Sequence, residues 1–170
     1  FNERTSLYNK RGMITLGSWA VANIGTNSIL SINASGEDKY FYRFNIYWNV
    51  VNLGLAGVGY YNEIRRDPSY YSLTETIDRQ KRIEKTFAFN SGLNVAYIAG
   101  GFYLMEMSKN TERNADLYNG FGKGLILQGG FLLVFDAAMH YAHSRNSRRL
   151  KGIINNMSVS SNGIGITYHF

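Results

Sequence analysis

Residues 122–149, GKGLILQGGFLLVFDAAMHYAHSRNSRR, decide the fold of this chain. Between residues 125 and 138 every helical face of this segment is apolar apart from Gln128 and Asp136. A helix that is hydrophobic all round must be covered, either by other helices or by lipid. Residues 13–32, 44–61 and 92–107 are the other segments long and apolar enough to cover it. The sequence therefore predicts four helices that bury one another.

The predicted fold class is all-α, a four-helix bundle with long helices and a short C-terminal β-hairpin. A chain of 170 residues has the typical length of one domain, so residues 1–170 are expected to form a single helical domain. Apolar spacings of three and four, the single Pro68 and the capping box from Ser72 to Glu75 divide the chain. The predicted helices cover residues 3–32, 37–64, 73–108 and 117–149.

After Lys151 the sequence changes from a helical pattern to an alternating one. Asn162-Gly163 is a strong signal for a tight hairpin turn, which predicts a hairpin over residues 156–170. A lone hairpin is marginally stable in water. We therefore expect it to pack on the bundle or to add a strand to a sheet of another chain.

Composition narrows the classes of partner. The net charge of +6 at pH 7 favours anionic surfaces such as lipid head groups, so contact with a membrane is one expectation. Nucleic acid is not expected, because the basic residues are not interleaved with aromatic residues that could stack on bases. The chain has no Cys, which excludes disulfides and thiolate sites. No cofactor is expected.

Polar residues interrupt each apolar segment. Asn and Asp inside a membrane are expensive unless they are paired, so these interruptions favour a water-soluble or peripheral bundle over a membrane-spanning one. They are Asn23, Thr26, Asn27, Asn49, Asn52, Asn94, Gln128 and Asp136.

One helix face carries residue types that could bind a metal. Asp136, His140 and His143 lie at positions i, i+4 and i+7, and Glu106 is the best candidate for a further ligand from another helix. A competing explanation is that His residues near a helix C-terminus are favoured by the helix dipole. We predict no metal and keep these residues as the weaker alternative. No arrangement of catalytic residues is visible, so an enzyme is not expected.

The chain resembles a family of small envelope proteins of Bacteroidetes. The resemblance lies in GMITLGSWAVANI at residues 12–24, WNVVNLGLAGVGYY at 48–61, residues 72–85, NVAYIAGGFY at 94–103 and KGLILQGGFLLVFD at 123–136. It implies a location in the bacterial cell envelope, in the periplasm or associated with the outer membrane. The type IX secretion system of that phylum has a giant outer-membrane barrel with accessory subunits, one of which closes its periplasmic end. A similar accessory role is the expectation for this chain.

The predicted function is therefore a non-catalytic envelope protein that docks on, or occludes, a larger outer-membrane protein-export assembly. Strand addition and a basic helix end would provide the contacts. The predicted partner-binding residues are Arg145, Arg148, Arg149, Lys151, Ile164, Ile166, Tyr168 and Phe170. One alternative is a small integral-membrane four-helix protein with a transport or sensing role. The other is a helical metal-binding protein.

Overall fold

A computed structural model describes residues 1–155, 157–160 and 163–166 of this protein, with side chains described through Leu150. The helices are α1 (Asn2–Leu30), α2 (Gly36–Arg65), α3 (Leu73–Ser108) and α4 (Ala115–Asn155). A short 3-10 helix, Pro68–Tyr70, lies between α2 and α3. The predicted all-helical bundle of four long helices is confirmed.

Local signals explain the helix boundaries. α3 begins and ends where the sequence predicts, and at its start the Ser72 hydroxyl accepts a hydrogen bond from the Glu75 N–H while the Glu75 carboxylate accepts one from the Ser72 N–H. α4 continues to Asn155, six residues past the predicted end at 149. The added residues, LKGIIN, contain neither Pro nor a cluster of turn formers, so nothing in them stops the helix.

Two short strands follow α4. β1 (Met157–Ser160) pairs antiparallel with β2 (Gly163–Ile166), with Met157 opposite Ile166 and Ser160 opposite Gly163. Residues 156, 161–162 and 167–170, which include Asn162 of the predicted Asn162-Gly163 turn, lie outside the described residues. The hairpin over the whole of 156–170 therefore stays a prediction.

α4 is the central helix of the bundle, because it contacts each of the other three. It runs antiparallel to α1, with Thr5 near Asn146 and Gly12 near Met139, and antiparallel to α3. α1 also packs along α2, whereas backbone contact between α2 and α3 is marginal. The apolar core is small and consists of Leu16, Ala56, Phe87, Phe135 and Met139.

Glycines let α3 and α4 approach each other closely. A Cβ placed on Gly101 would lie 2.6 Å from the carbonyl oxygen of Gly122, and a Cβ on Gly122 would lie 2.6 Å from that of Gly101. Any side chain at either position would push the two helices apart. This contact holds the backbone of α3 close to that of α4.

Candidate functional site

The interior of the bundle is mostly polar. Asn45, Asn49, Gln128 and His143 are all 0% exposed, a degree of burial usually found for aliphatic residues. The buried polar residues outnumber the buried hydrophobic ones: Thr5, Ser6, Asn23, Asn27, Asn45, Asn49, Asn52, Glu63, Thr76, Gln80, Asn94, Gln128, Asp136, His143 and Asn146.

The outside of the bundle is mostly apolar along its middle. Val134 is 70% exposed, Val51 is 62% exposed and Phe89 is 67% exposed. We call the exposed apolar residues of the middle section the apolar belt: Ile14, Val21, Ile29, Tyr47, Val50, Val51, Leu53, Leu55, Val58, Phe89, Leu93, Val95, Phe102, Leu127, Val134 and Tyr141. Contiguous exposed apolar surface of this kind marks an interaction with a partner or with lipid.

Charged residues are nearly absent from the section that carries the apolar belt. Residues 12–30, 44–62, 86–105 and 124–144 contain no Lys, Arg or Glu, and Asp136 is the one Asp among them. At 1.5 Å per residue each segment is about 30 Å long. The segments lie at the same height, since Gly12 is next to Met139, Gly59 is next to Met13, and Gly101 is next to Gly122.

The two ends of the bundle differ in charge. At the end where α2, α3 and α4 meet near Glu37 and Lys123, five basic residues (Lys39, Arg43, Lys109, Arg113, Lys123) are balanced by five acidic ones (Glu37, Asp38, Glu106, Glu112, Asp116). The opposite end, which we call the basic end, therefore holds the excess of positive charge. Its basic residues include Arg4, Lys10, Arg11, Arg65, Arg66, Arg79, Lys81, Arg82, Lys85, Arg145, Arg148 and Arg149.

Gln128 joins three helices through hydrogen bonds. Its amide nitrogen donates to the side-chain oxygens of Asn45 on α2, at 2.5 Å, and Asn23 on α1, at 3.4 Å. Its amide oxygen accepts from the Trp19 indole N–H at 3.1 Å. Asn23 and Asn45 in turn donate to the backbone carbonyls of Trp19 and Phe41, one helical turn earlier. Most of the polar capacity of this group is satisfied inside the protein.

A second polar group lies near the basic end. Glu63 is 4% exposed and accepts hydrogen bonds from Arg79, at 2.6 Å, and Asn9, at 3.1 Å. Gln80 donates to the backbone oxygen of His143 at 2.8 Å, and Asn146 donates to the Thr5 hydroxyl at 3.0 Å. These bonds connect all four helices at this end.

A pocket of about 540 Å³ opens between α2 and α3, and we call it the lateral pocket. Its floor holds Asp136 and Asn94, whose amide donates to the Asp136 carboxylate at 2.6 Å. Asn52 also lines it, and its buried side-chain nitrogen has no hydrogen-bond partner. Trp48 and Tyr97 meet edge to face across the gap, with ring centroids 5.1 Å apart. Through this pocket the polar interior reaches the surface that carries the apolar belt.

The structure does not bring the predicted metal ligands together. Asp136 points to Asn94, His140 Nδ1 lies 3.2 Å from the backbone oxygen of Glu84, and His143 is buried between the rings of Phe87 and Tyr8. Glu106 is exposed at the far end and pairs with Lys109. Within the described residues, no group of three or more His, Asp or Glu side chains could hold a metal ion.

The predicted partner-binding residues lie at the basic end or beyond it. Arg145, Arg148 and Arg149 are exposed in the last turns of α4. The side chains of Lys151, Ile164 and Ile166, and the whole of Tyr168 and Phe170, lie outside the described residues. Their role in binding a protein partner stays a prediction.

Sequence reasoning missed the polar interior, although a signal for it is present. Asn45, Asn49 and Asn52 lie at i, i+4 and i+7 on an otherwise apolar helix, and Asn23 and Asn27 lie at i and i+4. Residues at these spacings share one helix face. The amides are therefore not scattered interruptions of apolar segments but inward-facing stripes.

By length and composition, one segment of the described residues could cross a membrane, Ala115–Leu150 of α4. The core helix of a soluble protein meets the same criterion and is mostly buried, whereas only 28% of the apolar 18-residue window within this segment is buried. Fold and burial together define the class of protein: an all-helical bundle with a polar interior and an apolar exterior.

The chain belongs to DUF6992, a family of unknown function, whose model matches residues 15–137. That range runs from the middle of α1 to the middle of α4 and includes every residue that lines the lateral pocket except Met13. No curated protein and no solved structure matches the chain. The resemblance to small envelope proteins of Bacteroidetes and the link to type IX secretion stay predictions.

Proposed function

We propose that this chain is an integral-membrane four-helix protein with a transport or sensing role, which acts by binding rather than by catalysis. The observation that carries the proposal is the reversed burial pattern, in which amides fill the interior while Val50, Val134 and similar residues face outward. In water this arrangement exposes the apolar surface that folding should hide. In a bilayer the same surface is solvated by acyl chains.

On sequence alone, the polar residues within the apolar segments argue against a membrane-spanning bundle. The hydrogen bonds of the interior change this conclusion. Polar residues in a membrane are tolerated when they face the bundle interior and pair with one another or with backbone carbonyls. Asn23 and Asn45 do both, and Gln128 pairs with the side chains of Asn23, Asn45 and Trp19. The polar interruptions therefore support a membrane-spanning bundle instead of opposing it.

The dimensions of the belt also support the proposal. The hydrocarbon core of a bilayer is about 30 Å thick, and a spanning helix needs about 20 predominantly apolar residues. The segments 12–30, 44–62, 86–105 and 124–144 have this length and lie at one height. A protein partner that covered all four helices would need no such match to a fixed thickness.

The uneven charge of the two ends gives an orientation. Loops and helix ends on the cytoplasmic side of a membrane carry an excess of Lys and Arg. The basic end holds the N-terminus of α1 and the last turns of α4, so we place both in the cytoplasm. This orientation refers to a cytoplasmic membrane, which keeps the predicted envelope location but differs from the periplasm or outer membrane that the resemblance implies.

Cysteine labelling tests insertion and orientation together, because the chain has no native Cys. Val134→Cys lies in the middle of the apolar belt, and Arg148→Cys lies at the basic end and serves as the matched exposed control. In membranes opened by freezing and thawing, a water-soluble maleimide should label Arg148→Cys and leave Val134→Cys unlabelled. In sealed cells or spheroplasts, neither should react.

The membrane proposal fails if Val134→Cys reacts in water as fast as Arg148→Cys, or if a carbonate wash removes the protein from the membrane. The orientation alone fails if Arg148→Cys reacts with the impermeant reagent in sealed spheroplasts. The predicted docking on an outer-membrane assembly is a separate question, which a pull-down with the full chain and a chain lacking residues 156–170 would test.

A further inference from the structure

We infer that the lateral pocket binds a lipid-soluble, electrically neutral molecule whose head group both donates and accepts hydrogen bonds, such as a long-chain alcohol or primary amide. The inference rests on the proposed function, because the ligand must reach the pocket from the hydrocarbon region of a membrane. It adds the chemical class of the ligand and the residues that recognise it.

The position of the pocket defines its route of entry. Its mouth lies between α2 and α3, where Val51 and Leu55 on one side and Leu93 on the other belong to the apolar belt. A ligand would therefore enter sideways, from among the acyl chains. A volume of about 540 Å³ lies within the usual range for sites that hold small molecules.

Asn52 supplies a hydrogen-bond donor to the ligand. It is 5% exposed, and its side-chain nitrogen is buried without a hydrogen-bond partner. A buried donor left unpaired is costly, and such groups in folded proteins call for a specific explanation. An oxygen atom on a bound ligand would accept this hydrogen bond, so the ligand needs an acceptor.

Asp136 supplies a hydrogen-bond acceptor to the ligand. Asp136 is 4% exposed. Among the described residues, the Asn94 amide donates a hydrogen bond to one of the two Asp136 carboxyl oxygens. A hydroxyl or amide N–H on the ligand would donate to the other oxygen. A quaternary ammonium could pair with the carboxylate but could not accept from Asn52, and an alkane could do neither. The pair of groups therefore selects a head group with both functions.

Photocrosslinking in lipid nanodiscs tests this inference with defined probes. The probe is a long-chain alcohol that carries a diazirine on its chain, and the comparison probes are its methyl ether and its trimethylammonium analogue. The alcohol should label the wild-type protein most strongly, and the labelled peptides should fall within residues 48–55 and 90–97, which line the mouth.

Two variants separate recognition from general damage. Asn52→Leu removes the donor in the pocket and should reduce labelling by the alcohol about tenfold, the effect of one hydrogen bond to a buried group. Asn49→Leu is the control, because Asn49 is also a fully buried amide of α2 but does not line the pocket. It should label like the wild type. Helical circular dichroism and elution as a single species are measured for both.

Each outcome decides the question. Equal labelling by alcohol and methyl ether, strongest labelling by the ammonium probe, or labelled peptides away from the mouth would each overturn the inference. If Asn52→Leu does not fold, the probe series and the peptide map on the wild type still decide. Resistance to carbonate is measured on the same membranes: an integrated protein without labelling contradicts the ligand alone, and a protein released by carbonate contradicts the proposed function.

Discussion

The inward face of α4 carries Gln128, Asp136 and His143, whereas its outward face carries Leu127, Val134 and Tyr141. The inward residues are 0%, 4% and 0% exposed, and the outward ones are 39%, 70% and 62% exposed. Both sets repeat at intervals of seven or eight residues, so each follows one side of the helix. The difference teaches that α4 turns its polar residues toward the bundle interior and its apolar residues outward, the reverse of the usual pattern of a surface helix in water.

The same contrast explains why hydropathy alone is a weak guide to this chain. The polar residues of α1, α2 and α3 lower the mean hydropathy of these helices, although many of these side chains are buried in the bundle interior. In the part of the chain that the structure describes, only the α4 segment is long and apolar enough to cross a membrane. The arrangement of polar residues around each helix is more informative here than their number.

The largest expected effect comes from a charge on the outward face. Val134→Arg should cost about 3 kcal/mol if α4 crosses a bilayer, because Arg at the centre of a spanning helix is costly to insert. On a surface in contact with water the same substitution should change stability by about 0.5 kcal/mol or less. The yield of membrane-integrated protein, relative to Val134→Leu as the control, distinguishes the two cases. A yield of Val134→Arg equal to that of Val134→Leu would contradict contact between the outward face of α4 and lipid.

Gly100 and Gly101 are adjacent in α3, but only Gly101 lies against α4. Gly101→Ala places a methyl group against the Gly122 backbone and should destabilise the bundle by about 1–3 kcal/mol through overpacking. Nothing lies within 4 Å of a Cβ on Gly100, so Gly100→Ala should be stabilising by up to about 1 kcal/mol. Thermal unfolding in detergent measures both. Shifts of the same sign would contradict the close α3–α4 contact.

The interior hydrogen bonds can be tested at Gln128. Gln128→Leu keeps the size of the side chain but leaves Asn45 and the Trp19 indole without their partner, at a cost of about 1–3 kcal/mol. Leu127→Met, one residue away on the outward face, changes no hydrogen bond and serves as the control. The intrinsic fluorescence of Trp19 should also shift in Gln128→Leu. An equally stable Gln128→Leu would mean that the polar interior is not held together by this residue.

The smallest expected effect lies outside the apolar belt, at the capping box of α3. Ser72→Ala removes the hydrogen bond to the Glu75 N–H and should cost about 1 kcal/mol in thermal unfolding, as for N-caps in general. Ser69→Ala, in the preceding 3-10 helix, is a nearby control that leaves the capping box intact. An unfolding temperature of Ser72→Ala equal to that of the wild type would contradict the cap.

The cap also gives a pH dependence. The backbone N–H of Ser72, followed by its hydroxyl, lowers the pKa of Glu75 below its ordinary value of 4.5. A lowered folded-state pKa means that the carboxylate stabilises the fold above pH 4.5 and that this contribution is lost as the pH falls through the folded-state pKa. The difference in stability between wild type and Glu75→Gln should therefore be constant near neutral pH and shrink below pH 4.5.

Local features of this fold could be predicted from the sequence, and its environment could not. Ser72, Glu75 and Pro68 act on their own neighbours in the chain, so the bounds of α3 follow from them directly. The partners of Gln128 on α1 and α2 depend on how distant helices are arranged. The opening between α2 and α3 likewise reflects how the helices are arranged, since α3 packs on α4 through Gly101 and Gly122 and has little backbone contact with α2.

The mouth of the lateral pocket lies in the middle section of the bundle and not at either end. In the proposed membrane location, a molecule that reaches Asn52 by this route first dissolves in the bilayer, so its supply depends on its partition coefficient and on the amount of lipid present. Occupancy would then follow the mole fraction of the ligand in the membrane. Titrations at different lipid-to-protein ratios should agree with one another only when expressed on that scale, and a poorly water-soluble ligand could fill the site at a negligible aqueous concentration.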